Sequence, residues 1–199
     1  MADAQYGQDE GAVMTSHIIP AAKEPILTIV NFWKEAGPER WFSKDEAFDQ
    51  DFSSRFMQAH LAAARRRHEA WASDPDGLLA LMILLDQFPR NAFRDTGHMF
   101  ATDGLALHYA RAGVDNGLDQ QVPVSLRLFV YLPFMHAESL ADQMRCVELC
   151  RLLGRSEDYA EEHLDIIRRF GRFPHRNVAL GRTTTAEEQA FLDAGGFAG

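Results

Sequence analysis

The longest apolar run of the chain is LLALMILL, residues 78–85, and it continues directly into the polar segment DQFPRN, residues 86–91. Eight apolar residues are too few to cross a membrane, so the run predicts the most buried helix of a globular fold. Pro89 has no amide proton, and its ring clashes with the carbonyl of Leu85 in an α-helix. We therefore expect the helix to kink or end here, with Phe88 displaced from helical geometry.

A second Phe-Pro segment, FGRFPHRN, lies at residues 170–177. It belongs to a stretch from Arg168 to Arg182 that holds five arginines and no acid, although the whole chain has a formal net charge of −9. Both Phe-Pro segments break a helix and both are followed by arginine and asparagine. We predict that they meet at one site, which requires them to lie within roughly 15 Å of each other.

Helical signals extend on both sides of the apolar run. A first helix is expected over 24–35, and the capping-box pattern Ser43–Glu46 predicts a long helix to about residue 72. Asp74 and Pro75 match the N-cap and first position of the buried helix. Further helices are expected over 98–114, from Pro123 to just before Pro133, from Ser139 to Gly154, from Ser156 to Gly171, and from the capping box Thr185–Glu188 to about residue 194.

No alternating β pattern occurs, so these signals predict an all-α protein of about eight helices in antiparallel pairs. We expect residues 1–22 to form a flexible extension and residues 23–199 to form a single all-helical domain. Cys146 and Cys150 are expected to be buried, reduced thiols, typical of a reducing compartment. The N-terminus lacks a signal-peptide pattern, and we expect a cytoplasmic location.

The acidic composition, with a pI near 5.3, argues against broad nucleic-acid binding. The lack of a long apolar segment argues against a membrane role. No metal site and no cofactor are predicted: His136 and Glu138, with His163 and His175, have ligand chemistry, but their spacing does not match a helical zinc motif. The oligomeric state is left open.

Three long motifs resemble the domain of unknown function 924 family. They are LLDQFPRN (84–91), YLPFMHAE (131–138), and RFGRFPHRN (169–177) followed by Leu180-Gly181-Arg182 and Glu187-Glu188. The resemblance covers about residues 25–197 in the same order. It implies an all-helical fold similar to a tetratricopeptide-like right-handed array, and it implies no established activity. Ala137 stands where the family pattern suggests serine, which disfavours any mechanism that needs a hydroxyl there.

The leading functional hypothesis is a polar pocket that binds a small anionic ligand through arginine side chains, which suit carboxylate or phosphate. The predicted ligand-binding residues are Asp86, Gln87, Arg90, Asn91, Tyr131, His136, Glu138, His163, Arg172, His175, Arg176, Asn177 and Arg182.

Other interpretations of the same residues stay open. The arginines could form a structural ion-pair network that satisfies the carbonyls freed at the two helix breaks. A hydrolase-type enzyme could use His136, Glu138 or His175 as acid–base groups. A helical-array scaffold could hold a peptide, with Arg172 and Arg176 binding its carboxylate.

Overall fold

A computed structural model of the protein describes residues 23–197. Within that range every regular element is helical, so the predicted all-α class is confirmed. The tetratricopeptide-like array stays a prediction, and the predicted extension 1–22 lies outside the described residues. The α-helices are α1 Glu24–Ala36, α2 Pro38–Trp41, α3 Glu46–Ala64, α4 Pro75–Met82, α5 Phe88–Ala92, α6 Asp103–Asp115, α7 Val124–Met135, α8 Leu140–Leu153, α9 Glu157–Phe170 and α10 Ala186–Asp193.

Shorter helical turns connect several of these elements. A π-helical segment covers Ile83–Gln87, and 3₁₀ turns cover Glu69–Ser73, Gly97–Phe100, Asp119–Gln121 and Pro174–Arg176.

Helix α4 lies at the centre of the fold, as its apolar sequence predicts. Its N-cap, Asp74, accepts hydrogen bonds from the amides of Asp76 and Gly77, and Pro75 occupies the first position. Every residue from 77 to 89 is buried. Helices α1, α6 and α7 pack against α4. A helix that is apolar on all sides needs neighbours on all sides, and the amphipathic helices around it supply them.

The chain passes Pro89 differently from the prediction. Phe88 keeps α-helical angles (φ −54°, ψ −48°), and α5 continues through Pro89 to Ala92. The adjustment lies before the proline, where residues 83–87 form the π segment and the amide of Phe88 donates to the carbonyl of Ile83. The wider π turn moves the Leu85 carbonyl away from the proline ring, so the helix need not end.

Helix α3 also differs at both ends from its predicted limits. Its N-cap is Asp45, not Ser43, because the Asp45 carboxylate accepts from two amides, those of Ala47 and Phe48, at 3.1 Å each. The helix ends at Ala64 rather than near residue 72. Arg66 adopts a left-handed conformation (φ 60°) there, which closes the last turn and redirects the chain.

Two further helix limits need correction. Helix α7 includes Pro133 and runs to Met135, and its C-terminal end is stabilised by Gln143, whose side-chain amide donates to the carbonyls of Met135 (2.6 Å) and Ala137 (2.7 Å). The segment predicted to be one helix from residue 98 is a 3₁₀ turn followed by α6 from Asp103. This division places Phe100 in a loop beside the two Phe-Pro segments.

The C-terminal part follows the predicted signals closely. Helix α8 packs against α7 and α9, and it ends at Gly154 in a left-handed conformation. The Thr185–Glu188 capping box is formed in full at the start of α10. Cys146 and Cys150 are buried and free, with their sulfur atoms 3.9 Å apart. None of the helices within residues 23–197 has the length and apolarity to cross a bilayer.

Gly113 in α6 allows this helix to approach α4 closely. A Cβ atom added at residue 113 would lie 2.3 Å from Cδ2 of Leu78, which is fully buried. We expect Gly113→Ala to lower the free energy of unfolding by about 1–3 kcal/mol, because the core cannot absorb the extra methyl group. In the same helix, a Cβ at Gly104 meets nothing within 4 Å. Gly104→Ala should be neutral or stabilising by up to about 1 kcal/mol. Urea denaturation of both variants checks this; equal effects would contradict it.

Candidate functional site

The two Phe-Pro segments lie side by side and share one carboxylate. Asp103, at the start of α6, accepts two hydrogen bonds from Arg90 (2.9 and 3.0 Å). Its Oδ2 atom also accepts from Nη1 of Arg176 at 3.3 Å. The two arginines are therefore within the distance that a shared site requires.

Side chains satisfy the carbonyls around the π segment. Asp86 O accepts from Arg90 (2.8 Å) and Gln87 O accepts from Asn91 (2.9 Å). The two preceding carbonyls have partners that are more distant in sequence. Leu85 O accepts from the hydroxyl of Thr102 (2.5 Å), and Leu84 O bonds to Nδ1 of His60 (2.9 Å). Arg90 and Asn91 thus satisfy backbone carbonyls near Pro89, as one interpretation of the sequence predicted.

Asp86 is fully buried and remains ionised. Its Oδ1 atom pairs with Nδ1 of His136 at 2.7 Å and with Arg90 at 3.3 Å, and its Oδ2 atom accepts from Gln87 at 2.6 Å. Burial alone would raise the pKa of this carboxyl group, but Arg90 and His136 lower it to about 2. An ionised carboxylate can only accept hydrogen bonds. Nδ1 of His136, which bonds to Asp86, therefore carries the proton.

His136 is consequently held in one orientation at the C-terminal end of α7. Burial and the charge of Arg90 lower its pKa, which outweighs the opposing effect of Asp86, so the ring is neutral near pH 7. With Nδ1 protonated and bonded to Asp86, Nε2 carries the free lone pair. Nε2 has no hydrogen-bond partner among residues 23–197.

Arg176 is buried, yet its guanidinium is only partly paired. Apart from the 3.3 Å contact with Asp103, it packs against the rings of Phe173 (4.4 Å) and Phe100 (4.7 Å). Within the described part of the chain, its Nε and Nη2 atoms have no hydrogen-bond partner. Burial and the nearby Arg90 lower the pKa of Arg176 to about 10, so it stays cationic at neutral pH.

His136, Arg90 and Arg176 line a cavity of about 440 Å³, and the buried Asp86 and half-buried Asp103 bond to them. The other polar lining residues include Gln87, Asn91 and Arg94. The apolar lining residues include Trp41, Phe42, Phe100, Leu128, Leu132 and Met135. A volume of this size and a wall with few polar groups are typical of small-molecule sites.

His163 and His175 line the same cavity beside Phe197. Burial, and to a smaller extent the neighbouring His136, lowers the pKa of His163 to about 4. Burial and Arg176 lower the pKa of His175 to about 3. Nδ1 of His163 bonds to the carbonyl of Tyr159 at 2.7 Å, which restrains this ring. Both rings are therefore neutral walls of the cavity near pH 7.

Four other predicted residues form a separate group, the C-terminal clamp: Glu138, Arg172, Asn177 and Arg182. Glu138 accepts from Arg182 (2.8 Å) and from the amide of Phe173 (2.9 Å). Arg172 (2.6 and 2.9 Å) and Asn177 (3.2 Å) donate to Glu188 in the capping box of α10. The clamp ties α10 and the second Phe-Pro segment to the fold, and none of its four members lines the cavity.

Tyr131 lies apart from both groups. Its buried side chain donates a hydrogen bond to Asp119 at 2.7 Å, and Tyr131 is not among the residues that line the cavity. Glu138 is not the carboxylate that orients His136, since that partner is Asp86. No three or more His, Cys, Asp or Glu side chains within residues 23–197 are grouped so that they could hold a metal ion.

Comparison with known proteins places this arrangement in a family. The model for the bacterial protein of unknown function family DUF924 matches residues 29–196. The chain belongs to the DUF924 family. It is also similar to the solved structure of ATU0120, a protein of unknown function from Agrobacterium tumefaciens, with 53% sequence identity and a TM-score of 0.83. That match covers 85% of this chain and 97% of the other. Among curated proteins, none matches this chain.

Sequence reasoning missed three groups of this DUF924 site. Asp103 bonds to both Arg90 and Arg176. Phe100 packs on the guanidinium groups of the same two arginines. Arg94 lines the cavity and bonds to Asp49 (2.7 and 3.1 Å). Asp103 gave no helix-start signal, because the predicted helix began at residue 98. Phe100 and Arg94 gave none either, because their roles depend on helices that are distant in sequence.

Asp103 is expected to be the most sensitive of the polar residues to substitution. We expect Asp103→Asn to lower the free energy of unfolding by roughly 3 kcal/mol, because two buried guanidinium groups lose their shared counter-ion. Asp115, at the other end of α6, pairs with Arg145 on the surface. Asp115→Asn should therefore change stability by less than about 1 kcal/mol. Guanidinium chloride titration measures both; a small effect at Asp103 would contradict the shared counter-ion.

The clamp makes stability depend on acid pH. Arg172, aided by the amide of Thr185, lowers the pKa of Glu188 to about 2. A depressed carboxyl pKa contributes stability above the unfolded value, about 4.5, and that contribution is lost as pH falls towards 2. We expect Glu188→Gln to lower the melting temperature at pH 7, with the difference from wild type shrinking between about pH 5 and pH 2.

Glu187→Gln is the matched control for this pH dependence. Glu187 is the neighbouring acid, and it pairs with Arg169 on an exposed surface. Its melting curve should follow wild type at every pH. If Glu187→Gln and Glu188→Gln show the same pH dependence, the clamp is not its source.

Proposed function

We propose that the cavity binds a small carboxylic acid with an apolar body, with Arg176 as the main partner of the carboxylate. The observation that carries the proposal is the buried, incompletely paired guanidinium of Arg176. A buried cation without full hydrogen bonding is costly unless something completes its partners. An anionic group in the cavity would do so.

The small number of unpaired donors favours a carboxylate over a phosphate dianion. Three arginines of the lining, Arg90, Arg94 and Arg176, are matched by three carboxylates, Asp49, Asp86 and Asp103. Arg90 and Arg94 are already bonded to carboxylates on two atoms each, so Arg176 offers the open donors. One donor group suits a carboxylate, whereas a phosphate dianion would require several.

The apolar lining residues favour a ligand with an apolar body. They come from α2 and the residue after it, Phe42, which is largely exposed, from α7 and from the Gly97–Phe100 turn. The cavity is the size of a small-molecule site, whereas a peptide would need an extended groove. A small amphipathic acid therefore suits both the polar and the apolar lining residues.

Isothermal titration calorimetry with benzoate and hexanoate, and with benzamide and hexanamide as uncharged analogues, tests the proposal. We expect each acid to bind at least tenfold more tightly than its amide, since a charge-assisted hydrogen bond contributes about 1.5–3 kcal/mol. Inorganic phosphate should bind more weakly than the acids. Equal affinities of acids and amides, tighter binding of phosphate, or no saturable binding would each overturn the proposal.

Arg176→Gln is the corresponding variant and should lose at least tenfold in benzoate affinity. Arg172→Gln is its control, because Arg172 belongs to the clamp and bonds to Glu188 outside the cavity. This control should bind benzoate as wild type does. Should Arg176→Gln fail to fold, the comparison of acids with amides on the wild-type protein still decides the matter.

A further inference from the structure

We propose that Asp86 and His136 form a general-base dyad in the cavity, and that the protein hydrolyses small carboxylic esters there. The inference rests on the proposed function, because it takes the acid that Arg176 would hold to be the product of the reaction. The geometry that supports it is a cavity-lining histidine whose Nδ1 bonds to a buried carboxylate at 2.7 Å and whose Nε2 has no hydrogen-bond partner among residues 23–197.

The tautomer of His136 follows from its surroundings. Asp86 is flanked by Arg90 and Gln87, which stabilise its ionised form, so it can only accept from the ring. The Nε2 lone pair is therefore available as a proton acceptor. A neutral imidazole with a carboxylate behind it is suited to accept a proton at neutral pH. Asp86 is a positioning residue in this scheme, because it has no exposed surface.

The cavity also supplies the second requirement of ester hydrolysis, stabilisation of developing negative charge. Arg90 contacts both Asp86 and Asp103, and Asp103 contacts Arg176. Arg176 and His136 line the same cavity, and Nη2 of Arg176 has no hydrogen-bond partner among residues 23–197. Arg176 is itself largely buried, and a buried cationic donor stabilises an oxyanion more strongly than it would in solution.

The attacking group in this scheme is water. No serine, threonine or cysteine side chain in the described part of the chain is hydrogen-bonded to His136. Nε2 accepts a proton from water as the water oxygen bonds to the carbonyl carbon, and Arg176 stabilises the negative charge on the carbonyl oxygen. Nε2 then returns the proton to the alkoxide oxygen as its bond to the acyl carbon breaks. The products are a carboxylic acid and an alcohol, with one water consumed.

Hydrolysis of 4-nitrophenyl acetate, followed by release of 4-nitrophenol, tests the dyad. Wild type should exceed the rate of an equal concentration of free imidazole, and His136→Gln should lose about 100-fold, within the range of general-base catalysis. His108 is exposed on α6 and does not line the cavity. His108→Gln should retain the wild-type rate. A wild-type rate no higher than imidazole, or full activity in His136→Gln, overturns the proposal.

Two measurements distinguish the positioning role of Asp86 from its contribution to the stability of the fold. Asp86→Asn should lower kcat at least tenfold with KM unchanged, and ¹⁵N NMR should show that His136 loses its fixed Nδ1–H tautomer. Because Asp86 is buried, this variant could be destabilised, so ¹⁵N NMR of the wild type provides an independent test. A wild-type His136 protonated on Nε2 would overturn the dyad.

Benzoate titration of His136→Gln distinguishes this inference from the proposed function. Retained benzoate binding with lost hydrolysis supports both. Wild-type binding of benzoate without hydrolysis overturns only the dyad. Hydrolysis that depends on His136, without any preference for acids over amides in binding, overturns only the carboxylate site.

Discussion

The carboxylate of Asp86 is buried at the point where the central helix passes through a π segment, and the polar interior of the protein depends on how it is compensated. An unpaired buried carboxylate would be prohibitively costly, so the fold supplies Arg90, Gln87 and His136 around it. Arg90 carries a charge of its own, which Asp103 matches, and Asp103 in turn contacts Arg176. One buried charge thereby organises a network that joins α4, α6, α7 and the second Phe-Pro segment.

The helix break and the cavity have a common cause. Pro89 prevents regular α-helical bonding, and the π segment before it leaves carbonyls that four side chains satisfy. The same segment contains Gln87, which lines the cavity, and Asp86, which is buried behind it and bonds to His136. π segments inside α-helices frequently occur at functional sites. Here structural satisfaction and a candidate site use the same residues.

The arginines of the C-terminal stretch divide by environment rather than by sequence. Arg172 and Arg182 are paired with Glu188 and Glu138, so they stabilise the last helix. Arg176, four residues from Arg172, lies buried with open donors and faces the cavity. The structural-network interpretation therefore describes Arg172 and Arg182, whereas the proposed ligand site would use Arg176. The physical distinction is whether the donors of the guanidinium group are already hydrogen-bonded to a carboxylate of the protein.

The sequence alone determined the helical class, the buried central helix, the caps at Asp74 and Thr185, and the two Phe-Pro segments, because periodicity, capping and proline are local properties. It did not determine that the chain continues through Pro89 and Pro133. At Pro89 the freed carbonyl of Leu85 accepts from Thr102, a side chain outside the helix, and local sequence does not show such a partner. Only the tertiary structure decided that Asp86, not Glu138, orients His136, and that Asp103 joins Arg90 to Arg176. Those pairs are separated by 50, 13 and 73 residues, and charge pairing over such separations depends on how the helices pack.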